Sequence, residues 1–217
     1  PQQIAKHQKI QRLKLLEKSL KSPEYNTPYI HYHYGFLLFC RVTPDFDRAL
    51  AEFEYSFDET CTHRANPPSA TWFGAPLDSV SVYILDILYQ QKRFHDIIKR
   101  FSQYKPFIHH REAYYIYGQS LFETGQQDEA FSALHQCYEP SLIEIKPQEA
   151  WRPLVTLLQL AIQKEDTFAT ISYGYQLMHW FLIPVALCGI VITVDAVRWF
   201  RGELDVFDPI GIVGLFG

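Results

Sequence analysis

Arg111-Glu-Ala-Tyr-Tyr-Ile-Tyr-Gly-Gln-Ser-Leu-Phe-Glu-Thr-Gly-Gln-Gln-Asp-Glu-Ala-Phe-Ser-Ala-Leu134 is the stretch whose reading decides the fold class. Tyr114, Tyr117, Gly118 and Leu121 recur at helical spacing on one face of a first helix, and Ala130, Ala133 and Leu134 do so on a second. Gly125 interrupts the pattern, so the stretch predicts two short amphipathic helices joined at that glycine. Gly118 and Ala130 are small enough to let the helices approach closely, while the bulkier residues fill the space around the crossing.

This unit resembles a tetratricopeptide repeat (TPR), a helix pair of about 34 residues that buries its apolar face by stacking on copies of itself. The family's favoured Trp position holds Tyr114, and Pro140 falls slightly early. The resemblance implies an all-α fold of stacked helix-turn-helix (TPR-like) repeats, and a non-enzymatic protein-protein interaction scaffold or adaptor.

Working back from Arg111, Asp78 to Tyr104 reads as another helix pair. Ile84, Leu85 and Leu88 face inward on its first helix, and Phe94, Ile97, Ile98 and Phe101 on its second. Its turn, Tyr89-Gln-Gln-Lys-Arg-Phe, has Lys92 where the family has Gly. Pro28 to about Asp58 is a further candidate repeat: Tyr34, Gly35 and Leu38 take the positions of Tyr117, Gly118 and Leu121, and Ala49 and Phe53 mark the second helix. Its turn, Arg41-Val-Thr-Pro-Asp-Phe-Asp, exceeds the family pattern by about two residues, as surface loops tolerate. Between these pairs, Thr62 to Pro76 reads as a loop. Trp72 and Phe73 within it either pin the loop to the body or contact a partner. After Arg111, Glu149 to Lys164 reads as a helix with Leu154, Leu157, Leu158 and Ile162 inward, and Thr167 to Tyr175 as its partner. Pro153 and Thr156 stand at expected bulky positions, and terminal repeats are often atypical.

The ends differ in composition. Gln3 to Leu20 is a basic amphipathic helix, with Ile4, Ile10, Leu13, Leu16 and Leu20 forming its stripe and Lys6, Lys9, Arg12, Lys14 and Lys18 the remainder. It either packs on the first repeat with its lysines in water, or lies on an anionic membrane or a partner. Thr167 to Val194 contains no Asp, Glu, Lys or Arg, and Phe181 to Val194 is almost wholly apolar. Tyr175 and Trp180 before this run, and Arg198, Trp199 and Arg201 after it, resemble interfacial anchors. Pro184 and Gly189 are tolerated in membrane helices. These features predict membrane association, with contact through 176–194 and the C-terminal side cytoplasmic. The alternative is a buried capping helix on a soluble cytoplasmic adaptor. Beyond it, Arg201-Gly-Glu-Leu-Asp-Val-Phe-Asp-Pro-Ile-Gly resembles the juxtamembrane parts of bacterial envelope polysaccharide polymerases. That resemblance implies a regulatory or interaction domain of a larger membrane-embedded enzyme. The apolar Pro209 to Gly217 reads as the start of a second membrane segment, and so as a fragment. The expected divisions are residues 1–22, 23–166 and 167–217.

A chain of 217 residues with 47% hydrophobic residues can bury a core, so disorder throughout is not expected. Its net charge of -4 provides no global attraction for nucleic acid. Cys40, Cys61, Cys137 and Cys188 form no Cys-x-x-Cys pair, which argues against a disulfide framework or structural zinc. Phosphate-binding loops, nucleophile elbows and His-Glu-x-x-His are absent from the sequence, so no catalytic residue, metal, cofactor or small-molecule substrate is assigned. His31 and His33, two residues apart on a helix, point to different sides, and His109-His110 meets the same objection. Cys61-Thr-His63 falls in the expected loop. Asp45, Asp47, Glu52, Glu54 and Asp58 read as a solvated acidic face.

The resemblance also implies a binding groove lined by the first helix of each pair. Carried onto this sequence, its ligand-facing positions are Tyr29, Tyr32, Phe36 and Phe39, then Asp86 and Tyr89, then Glu112, Tyr115, Gln119 and Phe122. Such a groove suits an extended or helical peptide held by apolar burial and tyrosine hydrogen bonds. The Lys and Asn clamp with which some family members hold a C-terminal carboxylate is missing at these positions, which disfavours chaperone-tail binding.

Overall fold

The computed structural model describes residues 2–65, 68, 73–142 and 151–178, with side chains from residue 11 onward. Every regular element among the described residues is helical. They are α1 (Gln2–Leu20), α2 (Pro28–Phe39), α3 (Phe46–His63), α4 (Leu77–Gln90), α5 (Phe94–Tyr104), α6 (Arg111–Glu123), α7 (Gln127–Gln136) and α8 (Arg152–Gln163). A 3-10 turn, Lys105–Phe107, follows α5, and residues 167–178 are also helical. The expected all-α class is therefore the one adopted. The chain divides into two compact units, Pro1–Pro147 and Gln148–Gly217.

In the first unit each helix packs on the next from α1 to α7, and α4 also packs on α6. Val80, Val82, Ile84, Leu85, Ile87 and Leu88 of α4 are all buried, because this helix has neighbours on several sides and is apolar nearly all round. Helix α2 starts on Pro28, whose missing N–H costs nothing in a first turn, and the Asp45 carboxylate caps α3 by accepting from the Arg48 N–H at 3.4 Å. The close approaches occur at the expected small residues. A Cβ on Gly35 would lie 3.2 Å from Glu52 Cβ and Phe53 Cε1, and one on Gly118 only 2.7 Å from Leu134 Cγ.

Helix α3 runs past Asp58 to His63, because Phe57 and Thr60 remain buried there. Thr60 Oγ1 donates to Ser56 O at 2.7 Å and accepts from Ala75 N–H at 2.8 Å, holding the end of the following loop to the helix. The expected loop thus begins later than Thr62, and Cys61 and His63 lie on the last helical turn. At the other end, Leu13, Leu16 and Leu20 of α1 pack against the core, while Lys14 and Lys18 are exposed. Tyr34 joins three helices, since its hydroxyl donates to Glu17 Oε1 at 2.8 Å and accepts from the Arg48 guanidinium. Burial, followed by the Glu17 bond, pushes the Tyr34 phenol up to about 12.

Three turns share one construction. Lys92, Gly125 and Glu165 have φ of 57°, 81° and 55°. Each N–H bonds back three residues, to Tyr89 O, Phe122 O and Ile162 O; the next N–H bonds back five, to Leu88 O, Leu121 O and Ala161 O. These paired bonds form the Schellman motif, which closes a helix with a left-handed residue just beyond its cap. Lys92 therefore performs the backbone role of Gly125 despite its Cβ.

The second unit contains α8, with Pro153 in its first turn, and the helical residues 167–178. Leu154, Leu157, Leu160 and Ala161 are buried. Ile162, expected to face inward, is 57% exposed: at 100° per residue it falls on the side opposite this buried arc. The expected start of this helix at Glu149 lies outside the described residues, as do Trp72 and Phe181 to Gly217.

The left-handed turns and the helix crossing predict opposite effects of similar substitutions. Gly125→Ala should cost about 1 kcal/mol from φ alone, since nothing lies within 4 Å of its added Cβ, and Lys92→Gly should gain about 0.5–1 kcal/mol. Gly118→Ala should cost about 1–3 kcal/mol through overpacking on Leu134. Urea midpoints at constant slope measure all three.

Candidate functional site

Helix α2 carries no Asp, Glu, Lys or Arg and presents aromatic rings along its length. Tyr29 is 43% exposed and meets the His33 ring edge-on at 4.4 Å. Tyr32, Phe36 and Phe39 are half-buried and converge on Tyr83 of α4, with ring centroids 6.3, 5.5 and 5.7 Å away. Tyr83 in turn stacks on Phe53 of α3 at 5.3 Å and 14°. The α2 set thus forms one aromatic cluster with α4, closed from beneath by α3.

Further along α4, Tyr89 packs 5.9 Å from Phe94, and the Asp86 carboxylate accepts from Gln90 Nε2 at 3.1 Å. Glu112, Tyr115, Gln119 and Phe122 are half-buried on α6, the helix that packs against α4; Gln119 Nε2 donates to Glu123 Oε1 at 3.0 Å. Behind them, Phe101 of α5 stacks on Tyr117 at 3.9 Å and 3°. Each such aromatic pair is worth about 0.5–1.5 kcal/mol beyond burial, so the rings hold the helices in register as well as offering a face.

Tyr83 lies outside the positions carried over by resemblance, which give only Asp86 and Tyr89 on α4. A large aromatic just off the ligand-facing register of a first helix is the available signal. Burial pushes its phenol up to about 12, with Tyr32 adding to the effect, and burial also raises Tyr32, whose hydroxyl engages Ser79. Both phenols therefore remain protonated donors throughout the neutral range. Besides these phenols, the first helices α4 and α6 carry Asp78, Asp86, Glu112 and Glu123 against a single cation, Arg111.

The histidines separate as their spacing requires. His31 Nδ1 meets the Glu52 carboxylate and Nε2 lies 2.6 Å from Asn26 Oδ1, whereas His33 sits among Tyr29 and Tyr32. Asp78 accepts from His109 N–H at 3.1 Å and lies 3.2 Å from His110 Nε2, tying the segment before α6 to the first turn of α4. Among the described residues no group of three or more His, Cys, Asp or Glu is placed to hold a metal ion. Cys137 is buried, and burial pushes its thiol up to about 12, away from the reactive thiolate form.

No protein-family model matches the chain, and comparison with curated proteins finds no relative. Among the described residues no helix is long and apolar enough to cross a membrane. Of the expected membrane contact 176–194, residues 179–194 lie outside the described residues.

Burial lowers His33 below the ordinary histidine value. The unfolded chain therefore takes up a proton near pH ~6.5 that folded His33 refuses, and stability is lost as pH falls from there through the lowered folded value. His33→Gln removes this linkage. The stability advantage of the parent over His33→Gln should be larger at about pH 7.5 than at about pH 5.5, measured by urea unfolding at both.

Proposed function

We propose that the chain is a non-enzymatic interaction scaffold of the TPR-like kind, held at a membrane through its uncharged C-terminal run, with contact through 176–194. It binds a peptide segment of a partner protein along the aromatic face of α2, α4 and α6. The observation that carries this reading is the half-buried row Tyr32, Phe36 and Phe39 gathered on Tyr83. A preformed face of rigid rings loses little conformational entropy on binding, and its phenols can satisfy the backbone groups of a peptide laid across it.

The repeat character is supported by the common Schellman turn and by the separation of Lys92 from Gly125, close to the period of about 34 residues. The second reading, a regulatory or interaction domain of a larger membrane-embedded envelope polysaccharide enzyme, is favoured by the Arg201 to Gly211 run. In both readings, confinement to a surface raises the effective concentration of the groove toward its partner.

The test is selection of peptides from a displayed library on the full chain, followed by titration against a Tyr29→Ser/Tyr89→Ser variant. Loss of affinity on the order of tenfold or more is expected from removing two aromatic anchors. Equal affinity of parent and variant, or no enrichment at all, rejects the groove. Carbonate and detergent extraction of the chain with and without residues 176–217 tests the membrane placement: recovery of the full chain without detergent leaves the soluble cytoplasmic adaptor.

A further inference from the structure

Helical residues 167–178 open on Asp166, whose carboxylate accepts from Ala169 N–H at 2.9 Å. Their two faces differ in what they cover. Tyr173 is buried, with Ala169, Thr170, Gly174 and Leu177 half-buried around it. On the opposite side Phe168, Ile171, Tyr175 and Met178 are 84%, 66%, 58% and 51% exposed, spaced to form one stripe. The inward face is thus already occupied by Tyr173, Leu177 and three small residues, and the helix's four other large apolar side chains point to the outside. Leaving a side chain of this size in water forgoes about 1.5–3 kcal/mol of burial.

We infer that this stripe rests on the surface of a lipid bilayer, Phe168, Ile171 and Met178 entering the boundary between headgroups and acyl chains. The inference rests on the membrane placement in the proposed function and extends its contact upstream of residue 176. Two observations select a bilayer over another protein. The helix has no Asp, Glu, Lys or Arg, and the charge-free sequence continues through the apolar run Phe181 to Val194. A protein interface of comparable size has a polar, often charged rim, whereas hydrocarbon selects against charge throughout. In addition, four side chains of this size, each exposed by half or more, offer roughly 400–500 Å², against about 800 Å² per partner in a stable protein complex. With no basic residue on the helix, the contact depends on apolar burial and is indifferent to anionic lipid and to salt.

Met178 is the only methionine in the chain, so a water-soluble oxidant forms sulfoxide at one known position, read by mass. The full chain and a full-length Phe168→Met/Met178→Leu variant, whose single methionine lies at the far end of the stripe, are oxidised with and without phosphatidylcholine vesicles. Slowing on the order of tenfold at both positions with vesicles, unchanged by added salt or by phosphatidylglycerol, is the expected result. Protection at position 178 alone overturns the inference while leaving the membrane placement standing; protection at neither overturns both. Protection at 168 that rises with protein concentration in the absence of lipid assigns the stripe to a second copy of the chain, and protection that requires phosphatidylglycerol assigns the contact to the lysines of α1; each overturns the inference.

Discussion

A single left-handed residue closes the first helix of each pair that follows α3. With φ of 57° at Lys92 and 81° at Gly125 the chain turns back, and α5 lies against α4 and α7 against α6; Glu165, at 55°, ends α8 in the same conformation. The paired carbonyl bonds of each turn leave few orphaned groups at the helix end. Once the turn is set, side-chain volume decides how close the two helices come. Gly118 admits Leu134 almost to contact, whereas the corresponding position in the preceding pair is the bulky Leu85, and the space there is filled differently. Backbone conformation is thus common to these pairs while the packing across each pair is individual.

That individuality explains the aromatic cluster. Around Tyr83 the rings of α2, α3 and α4 meet at 5.3–6.3 Å, so the side chains of the proposed binding face also join the first helix pair to the second. Stability and recognition are not separable there: truncating Phe36 or Tyr83 removes packing along with any contact to a ligand. Tyr29, 43% exposed at the open end of the row, is the position at which the proposed recognition can be altered with least disturbance to the core, whereas Tyr89 also packs on Phe94.

The legible parts of the sequence were those governed by periodicity and by small residues. The pairs α4–α5 and α6–α7, and the Gly35 and Gly118 crossings, follow from apolar spacing of three and four and from glycine inside otherwise helical patterns. Turn chemistry was partly hidden, because a left-handed Lys or Glu carries no compositional mark; Lys92 looked like a departure and Glu165 like an ordinary loop residue until their φ values were known. The end of α3 was misjudged because Thr60 and Cys61 resemble loop residues, whereas Thr60 belongs to the buried side and is satisfied by Ser56 and Ala75. For the proposed site, Tyr32, Phe36 and Phe39 were named through the family resemblance, which did not include the Tyr83 on which their rings converge. That convergence depends on how α4 is placed beside α2, and an aromatic just off the ligand-facing register is only a weak local sign of it. The inward assignment of Ile162 failed for a similar reason: a helix with apolar residues on two sides does not reveal which side is covered.

The two kinds of apolar exposure in this chain have different chemical character, and that difference bears on what each can bind. Tyr32, Phe36, Phe39 and Tyr83 are half-buried, and two of them, Tyr32 and Tyr83, carry a phenol whose proton burial holds more tightly, so they combine apolar area with hydrogen-bond donors. A peptide backbone needs both, since each amide stripped of water must find a partner. On the stripe of residues 167–178, Phe168, Ile171 and Met178 offer area and no strong hydrogen-bonding group, and Tyr175 alone carries a phenol. A peptide backbone laid across them would lose water without replacement, whereas hydrocarbon has no such groups to satisfy. Under the proposed function, the face rich in phenols suits a polypeptide, and the stripe whose single phenol is that of Tyr175 suits acyl chains.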